Sequence, residues 1–552
     1  MRRKRKNLVE IRLLRLVSIL LLVMFFLIFR LYWIQIANHE HLRLEALKQR
    51  ANAINLYPER GIIYDRNLIP LTNRDRISTI FIPKENLEDN EGLEALILEY
   101  TALTKRELRN YKSSSEKILA IPLKKPIDEK MLPKGVFVAE RTLRYSKDNI
   151  LSHVIGYVRK SENKGEYGIE EVYDDVLTNY DNKRILFLEL DDNKNVLLSG
   201  EYQVSRNTKA LEPAGVKLTV DYHIQKIVEK VLDEYDINGA VIVSDVETGE
   251  IRALASRPNF DQNNMEKHLH DDDMTLYNKA IQAKYPPGSL FKIIVLLTAL
   301  EEDLDYMDRT FYCKGYEELG KIRISCNNTA GHGYLDLKEA FSKSCNSVFI
   351  QLGKELGGHK IIDMAKRLGF GNTINIGLAE EVEGNLPAGD EIKGPAIGNI
   401  SIGQGSIEVT PIQMTNLLMI IANNGIMKDM TIVDGITTED GKMIKSYNRQ
   451  EDERLLSKEN SQIVKEYLVD VVKSGTARSL DLDKIGGAAG KTGSAQGVLS
   501  GKKVIHGWFT GYFPVDKPRY VITVLVEEAK YGSQSAIPIF EKIAKEIYRL
   551  NR

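Results

Sequence analysis

Two polar residues three positions apart, Ser289 and Lys292, have the side chains needed for nucleophilic catalysis. They follow Pro286 and Pro287 and precede an apolar run from Ile293 to Leu300, a pattern that predicts the first turn of a buried helix. On such a helix the two side chains lie on one face. A serine hydroxyl attacks once a base takes its proton, and a lysine in an apolar pocket can have its pKa lowered enough to be that base.

Two later segments contain groups that could complete this site. Ser344-Cys345-Asn346 follows a predicted helix from Leu337 to Ser342 and offers a hydroxyl for proton relay and an amide for a substrate backbone. Lys491-Thr492-Gly493-Ser494 predicts the start of a strand beside a cleft. There the cation and the hydroxyls could hold a carboxylate, and the glycine lets a substrate approach the backbone. Each segment alone is equally compatible with a structural role, so their combination and order carry the prediction.

The three segments, in this order, resemble the motifs of the penicillin-binding proteins, specifically of the class B, monofunctional D,D-transpeptidases. Three further segments agree with that family: Ile402-Gly403-Gln404-Gly405, Ser474-Gly475-Thr476-Ala477 and Trp508-Phe509-Thr510-Gly511-Tyr512. The similarity runs from Val216 to Glu528. It implies an enzyme that cross-links the stem peptides of peptidoglycan, that is acylated by β-lactams, and that needs no cofactor for catalysis.

The resemblance also implies a role for each motif residue. The nucleophile would attack the carbonyl between two terminal D-alanines, Lys292 would be its base, and Ser344 with Lys491 would relay protons to the leaving amine. Backbone N–H groups of Ser289 and Ser494 would form the oxyanion hole. The expected catalytic residues are Ser289, Lys292, Ser344, Asn346, Lys491 and Ser494, and the expected substrate-binding residues are Asn346, Thr492, Gly493 and Ser494.

Two other classes of protein compete with this interpretation. A β-lactamase or a β-lactam-sensing receptor would share the three motifs, although a secreted β-lactamase has little use for a membrane anchor. A non-catalytic scaffold is disfavoured by the intact motifs. The fate of bound penicillin discriminates, because slow release indicates a transpeptidase and rapid turnover indicates a β-lactamase.

All three cysteines of the chain lie close together in sequence and predict a structural zinc site. Cys313, Cys326 and Cys345, with His332, make a tetrahedral set of soft ligands. The alternative is a Cys313–Cys326 disulfide across a predicted hairpin from Phe311 to Ser325, which would leave Cys345 as a free thiol. Asp308 or Asp336 could instead supply the fourth ligand, although Asp336, with Glu339 three residues on, has the pattern of a helix cap.

The N-terminus combines a basic stretch with an apolar one. The basic residues Arg2 to Lys6 precede an apolar run from Leu16 to Ile36 of about 21 residues, enough to cross the hydrocarbon core of a membrane. A cleaved signal peptide is the alternative, but Tyr32 and Trp33 stand where small residues would mark a cleavage site. We therefore expect an uncleaved anchor with a cytoplasmic N-terminus and an extracytoplasmic remainder.

The length of 552 residues predicts several units, and the resemblance suggests where they divide. We expect a cytoplasmic tail (1–15), a transmembrane anchor (16–36), a pedestal domain (37–215) and a transpeptidase domain (216–552). Arg60 to Asn67 and Gly168-Ile169-Glu170 resemble the pedestal, where Arg60 to Asn67 is interpreted as a strand with an ion pair and no chemistry.

The predicted fold class is α+β, with helices packed on a central antiparallel sheet. Alternating residues predict a hairpin from Gly239 to Ser256 and strands at Val504 to Tyr512 and Arg519 to Val526, and periodic apolar residues predict helices at Tyr222 to Tyr235 and Ile537 to Leu550. The resemblance implies the penicillin-binding-protein and serine β-lactamase fold behind an extended pedestal and one transmembrane helix. Helices are also expected at 41–51, 93–103 and 105–111.

The net charge and the family resemblance together limit the classes of partner that we expect. Lysine and arginine nearly cancel aspartate and glutamate, for a net charge of −1, so no nucleic-acid partner is expected. The expected partners are stem peptides, β-lactams and, from the resemblance, a polytopic SEDS-family glycosyltransferase that polymerises the glycan.

Overall fold

The computed structural model describes residues 2–39, 42, 52–55, 60–88, 90–113, 118–133, 135–159, 161–178, 182–190, 196–205, 213–268, 274–302, 304–499, 501–530 and 532–551. The chain divides into two compact units. The smaller unit comprises Met1–Pro58, Arg76–Leu143 and Asp181–Asn207, and the larger unit comprises Glu59–Asp75, Arg144–Tyr180 and Thr208–Arg552. Two segments of the larger unit precede residue 216, and the predicted domain boundary at that residue stays a prediction.

The α-helices, in chain order, are α1 Arg2–Tyr32, α2 Lys84–Glu88, α3 Glu91–Tyr100, α4 Lys105–Ser113, α5 Ser152–Ile155, α6 Gly168–Val172, α7 Asp174–Leu177, α8 Tyr222–Tyr235, α9 Lys292–Glu302, α10 Leu337–Ser342, α11 Asn346–Leu356, α12 Gly358–Arg367, α13 Ala396–Ile400, α14 Pro411–Ala422, α15 Lys458–Lys473 and α16 Ile537–Leu550.

The strands are β1 Asn52–Asn55, β2 Ile63–Tyr64, β3 Arg76–Pro83, β4 Ile118–Pro122, β5 Phe137–Thr142, β6 Val158–Arg159, β7 Lys164–Gly165, β8 Asn182–Leu190, β9 Val196–Ser205, β10 Gly215–Leu218, β11 Gly239–Asp245, β12 Ile251–Arg257, β13 Thr310–Cys313, β14 Tyr316–Leu319, β15 Ile322–Ser325, β16 Gly333–Asp336, β17 Ile426–Met427, β18 Val433–Thr437, β19 Met443–Ser446, β20 Glu453–Arg454, β21 Ala489–Leu499, β22 Lys502–Phe513 and β23 Tyr520–Val526.

The smaller unit contains the N-terminal helix α1 and two three-stranded sheets, β4-β3-β5 and β1-β8-β9. Among the described residues, one helix is long and apolar enough to cross a membrane, over Glu10–Ala37, and its apolar side chains are exposed. Such exposure suits contact with lipid. The helices expected at 93–103 and 105–111 are confirmed as α3 and α4, whereas the one expected at 41–51 lies outside the described residues.

The core of the larger unit is a five-stranded antiparallel sheet in the order β12-β11-β23-β22-β21. Strands β12 and β23 are buried along their whole length, as expected of strands covered by helices on both faces. Helix α14, buried at every position, packs against β23 and β11, while α15 packs beside β21. The predicted α+β class is confirmed.

Several element bounds follow the predictions because their ends carry clear signals. Helix α8 begins after Asp221, whose side chain accepts hydrogen bonds from the backbone N–H groups of His223 and Ile224. The hairpin β11–β12 and the helix α16 also lie where their patterns placed them. The hairpin expected from Phe311 to Ser325 differs: β14 pairs with β15, whereas β13 pairs with β16.

Candidate active site

The segment that carries Ser289 lies at the start of a buried helix. Ser289 lies in a 3₁₀ turn, Gly288–Phe291, that leads directly into α9. Gly288 has φ 55°, and a Cβ atom there would lie 2.8 Å from the carbonyl oxygen of Ser494. Glycine is therefore required for the first and third motifs to approach each other.

Lys292 is fully buried directly below the cleft, and its ammonium is held by the second motif. Its Nζ atom donates hydrogen bonds to the carbonyl oxygen of Ser344 at 2.8 Å, to Ser344 Oγ at 3.2 Å and to Asn346 Oδ1 at 2.7 Å. Burial lowers the pKa of Lys292 to about 8, although the nearby thiols of Cys345 and Cys326 oppose the shift. A lysine with such a pKa can accept a proton near neutral pH.

The second motif connects two helices and turns its polar groups toward Lys292. Ser344 lies between α10 and α11 with a φ of 54°, a left-handed conformation that non-glycine residues rarely adopt. Asn346 begins α11. The predicted cap of α10 is confirmed, because Asp336 and Glu339 form a reciprocal capping box.

The third motif lies on β21, the edge strand of the central sheet. Lys491 is buried, its Nζ atom donates to the carbonyl oxygen of Thr492 at 3.2 Å, and burial together with the charge of Lys292 lowers its pKa well below the ordinary value. A Cβ atom on Gly493 would lie 3.0 Å from Leu290 Cγ, so this glycine permits close packing against the first motif. Strand β22 pairs with one edge of β21, and no other described strand pairs with β21, so its second edge could take an extended peptide.

A cleft of about 720 Å³ brings the three motifs together. Its lining residues are Ser289, Asn327, Lys343, Ser344, Asn346, Ser474, Gly475, Thr476, Arg478, Ser479, Thr492, Ser494, Ser533 and Gln534. Of the predicted residues, the hydroxyls and Asn346 line the cleft, whereas the two lysines lie buried beneath it and Gly493 packs behind the lining.

Nine of the lining residues were not among the predicted site residues, and three of these nine make side-chain or backbone contacts at the third motif or beside it. Thr476 Oγ1 lies 2.6 Å from Thr492 Oγ1, the backbone N–H of Ser533 donates to Ser494 Oγ at 3.0 Å, and Gln534 Nε2 donates to the carbonyl oxygen of Thr476 at 3.3 Å. The resemblance of Ser474 to Ala477 to the family was a usable signal for Thr476. Ser533 and Gln534 carry no sequence pattern that would place them here.

The three buried cysteines and the half-buried His332 form a cluster that includes Cys345 of the second motif. Sγ of Cys313 and Sγ of Cys326 each lie 3.6 Å from His332 Nδ1, and Cys326 Sγ lies 3.7 Å from Cys345 Sγ. All three cysteines are free thiols, so the alternative Cys313–Cys326 disulfide is not formed in this structure. The hydrogen bond from Cys345 lowers the pKa of Cys326.

Comparison with known proteins identifies the family. Residues 239–545, more than half of the chain, match the family described as the penicillin-binding protein transpeptidase domain. The chain belongs to this family. It is 30% identical over 94% of its length to stage V sporulation protein D of Bacillus subtilis, covering 82% of that protein. It is 26% identical over 95% of its length to the peptidoglycan D,D-transpeptidase MrdA of Haemophilus influenzae, covering 89% of that protein.

Solved structures of the family agree with the fold of this penicillin-binding protein. The penicillin-binding protein PBP2 of Helicobacter pylori, 25% identical, superimposes with a TM-score of 0.70 over 90% of this chain and 99% of that chain. The predictions of a class B penicillin-binding protein, of its transpeptidase fold and of serine-type acyl transfer on peptidoglycan are thereby confirmed.

Proposed function

We propose that this penicillin-binding protein forms a covalent acyl-enzyme at Ser289, with Lys292 as the base. The observation that carries the assignment is the position of Lys292 Nζ, which contacts both polar residues of the second motif beneath a cleft that all three motifs line. One lysine thus lies at the junction of the nucleophile's helix and the proton-relay segment. No cofactor takes part in this chemistry.

The proposed reaction gives each of these residues a step. Ser289 Oγ attacks the carbonyl carbon between the two terminal D-alanines of a donor stem peptide, and its proton passes to Lys292. Backbone N–H groups of Ser289 and Ser494 stabilise the negative oxygen of the tetrahedral intermediate. The C–N bond then breaks, the leaving D-alanine takes a proton through Ser344 and Lys491, and an ester to Ser289 remains. An amine of a neighbouring stem peptide attacks the carbonyl carbon of this ester, the C–O bond to Ser289 Oγ breaks, and the proton that the amine loses returns to Ser289 Oγ, which leaves an amide cross-link and the free enzyme.

The donor peptide is proposed to lie along the free edge of β21. In an extended conformation its backbone groups can pair with that strand, while Asn346 holds the backbone from the opposite side of the cleft. The hydroxyls of Thr492 and Ser494 then lie at the C-terminal end of the peptide. Gly493 keeps this part of the strand close to the first motif.

A labelled penicillin and intact-mass spectrometry test the nucleophile. The full-length protein in detergent should gain one adduct that is released slowly, and Ser289→Ala should gain none. Ser479→Ala is the matched control, because Ser479 lines the same cleft outside the motifs and should acquire the adduct normally. An adduct of equal occupancy in Ser289→Ala would refute the assignment, and rapid release from the unmodified protein would favour β-lactamase chemistry.

The same proposal extends to the membrane, to the domains and to a partner. We propose that α1 is an uncleaved anchor with its basic start in the cytoplasm, that residues 37–215 form a pedestal, and that residues 216–552 form the transpeptidase domain outside the membrane. The basic residues before the apolar run support this orientation. Cross-linking requires glycan strands, so a SEDS-family glycosyltransferase is the proposed partner, and co-purification from detergent-solubilised membranes tests it.

The cysteine cluster is proposed to hold a structural zinc ion. For a Zn–S distance of about 2.3 Å, the ligand atoms of a tetrahedral site lie roughly 3.8 Å apart. The four candidate ligand atoms of Cys313, Cys326, His332 and Cys345 lie within 4.8 Å of one another, which is near the spacing of such a site. Four protein ligands leave no open position, so the ion would stabilise the second motif through Cys345 and take no part in the reaction.

A further inference from the structure

The cleft is lined by cations and hydroxyls, and within the part of the chain that the structure describes none of its lining residues is acidic. Two of the lining residues, Lys343 and Arg478, carry positive charge. Lys343 is already paired with Glu339, at 3.5 Å between Nζ and Oε1. The remaining cation, Arg478, is exposed and forms no ion pair with any acidic residue among those described.

Lys491, the cation of the third motif, is poorly placed to attract a carboxylate from the cleft. Its side chain is fully buried, and its Nζ atom donates to the backbone of its own strand and lies 5.6 Å from the centre of the Phe341 ring. Burial and the charge of Lys292 also lower its pKa well below the ordinary value. A carboxylate bound at Thr492 and Ser494 therefore needs a positive partner from another element.

Arg478 lies on a turn that is fixed beside the third motif. Two residues before it, Thr476 Oγ1 contacts Thr492 Oγ1 at 2.6 Å, and the backbone N–H of Thr476 donates to the carbonyl oxygen of Ser342 at 3.2 Å. The backbone N–H of Ala477 donates to the carbonyl oxygen of Val471 at 3.0 Å. The turn is thus attached both to the strand that would bind the C-terminal end of a peptide and to the helix α15.

We propose that Arg478 pairs with the C-terminal carboxylate of the donor peptide and with the equivalent carboxylate of a β-lactam. It is then the residue that makes a free carboxylate a requirement for a good substrate. A guanidinium stays protonated at all relevant pH values and presents two parallel N–H groups to a carboxylate, which the buried lysine cannot do. This inference rests on the proposed acylation of Ser289 in the same cleft.

A penicillin and its methyl ester, which lacks the free carboxylate, form the pair of probes that tests this role. Loss of a charge-assisted bidentate contact should lower the second-order acylation rate of Arg478→Gln by the acid roughly tenfold to a hundredfold. Acylation by the ester should change little, and Arg478→Lys should recover part of the rate with the acid. Lys343→Gln is the matched control, because it removes one positive charge from the same cleft and should leave the acid-to-ester preference intact.

Each alternative outcome has a separate meaning. An equal loss with the ester would show that Arg478 acts only on the structure of the cleft, and an equal loss in Lys343→Gln would show a general effect of charge. Either result, or an unchanged rate of Arg478→Gln with the acid, would overturn the proposal for Arg478 while Ser289 remained the nucleophile. The absence of any Ser289 adduct in the unmodified protein would instead overturn the proposed function and this role with it.

Discussion

The ammonium nitrogen of Lys292 lies 2.7 Å from the amide oxygen of Asn346, a residue 54 positions later in the chain. This contact joins the helix that follows Ser289, the proposed nucleophile, to the segment that contains Ser344, the proposed relay hydroxyl. Lys292 is fully buried, and in the described part of the chain all three hydrogen bonds from its Nζ atom go to groups of the second motif. The first two motifs therefore act as one unit.

The first prediction concerns this base. Lys292→Ala should lower the second-order rate of acylation by a penicillin about 100-fold to 10,000-fold, because general-base catalysis contributes factors of that size. Lys292→Arg should not restore the rate, since a guanidinium does not lose its proton. Stopped-flow or quenched-label acylation measures the rate. Near-normal acylation of a folded Lys292→Ala protein would refute the assignment.

A second prediction concerns the buried ion pairs of the segment around Arg60. Arg60 Nε donates to Glu170 Oε2 at 2.8 Å, and Arg144 Nε donates to Glu170 Oε1 at 2.7 Å, with Glu170 fully buried. Glu170→Ala leaves these guanidinium groups without their shared partner and should reduce the free energy of unfolding by about 3–5 kcal/mol. Fluorescence of the buried Trp508 reports unfolding of the larger unit.

The control for Glu170 is an exposed pair on the same unit. Arg159 and Glu162 form a surface ion pair at 3.0 Å, and Glu162→Ala should change the free energy of unfolding by less than about 1 kcal/mol. If the two substitutions had equal effects, the buried pair would not carry the stability assigned to it. Equal effects would also contradict the interpretation that the segment around Arg60 has a structural role through its ion pair.

The third prediction is a pH dependence of stability that arises from His153. Burial lowers its pKa to about 3, and its Nε2–H donates to the carbonyl oxygen of Thr275 at 2.8 Å. The unfolded chain takes up a proton below about pH 6.5 while the folded protein does not, so stability is present above that pH and is lost as the pH falls toward 3. The loss between pH 7 and pH 5 should be about 2 kcal/mol.

Urea unfolding at the two pH values measures this loss. His153→Gln keeps a donor for Thr275 but has no titrating group, so its stability should fall less between pH 7 and pH 5 than that of the unmodified protein. His359→Gln, at an exposed histidine, should keep the full pH dependence. Identical slopes in all three proteins would exclude His153 as the cause.

Local patterns predicted the parts of the fold whose determinants lie close together in sequence. Ser289 and Lys292 are one helical turn apart, and α8 is bounded by its own cap at Asp221, so both could be placed without knowledge of the rest. The spacing of the cysteines and His332 was sufficient to predict their cluster. Short-range geometry decides each of these features.

The remainder depends on contacts between distant segments. The pairing of Arg60 with Glu170 spans 110 positions, and nothing near either residue identifies its partner. The contact of Ser533 with Ser494 also joins distant residues, 39 positions apart, and no local pattern identifies either partner. At the hairpin expected from Phe311 to Ser325, Gly320 has φ 61° and closes a tight turn between β14 and β15, so β13 is left to pair with β16. Pattern alone did not distinguish these two pairings.

The last prediction concerns metal content. Protein purified without chelators should contain about one zinc ion per chain, because the ligand atoms of three thiols and an imidazole lie within 4.8 Å of one another. Elemental analysis measures the ion. His332→Ala removes one ligand and should lower the zinc content and the melting temperature, whereas His359→Ala, at an exposed histidine outside the cluster, should change neither.

Chelation of the unmodified protein should lower its melting temperature, and added zinc should restore it. Because Cys345 lies between Ser344 and Asn346, chelation should also slow acylation of Ser289, while the chelator should leave the acylation rate of His332→Ala nearly unchanged. Protein without zinc, together with a mapped Cys313–Cys326 disulfide, would refute the site.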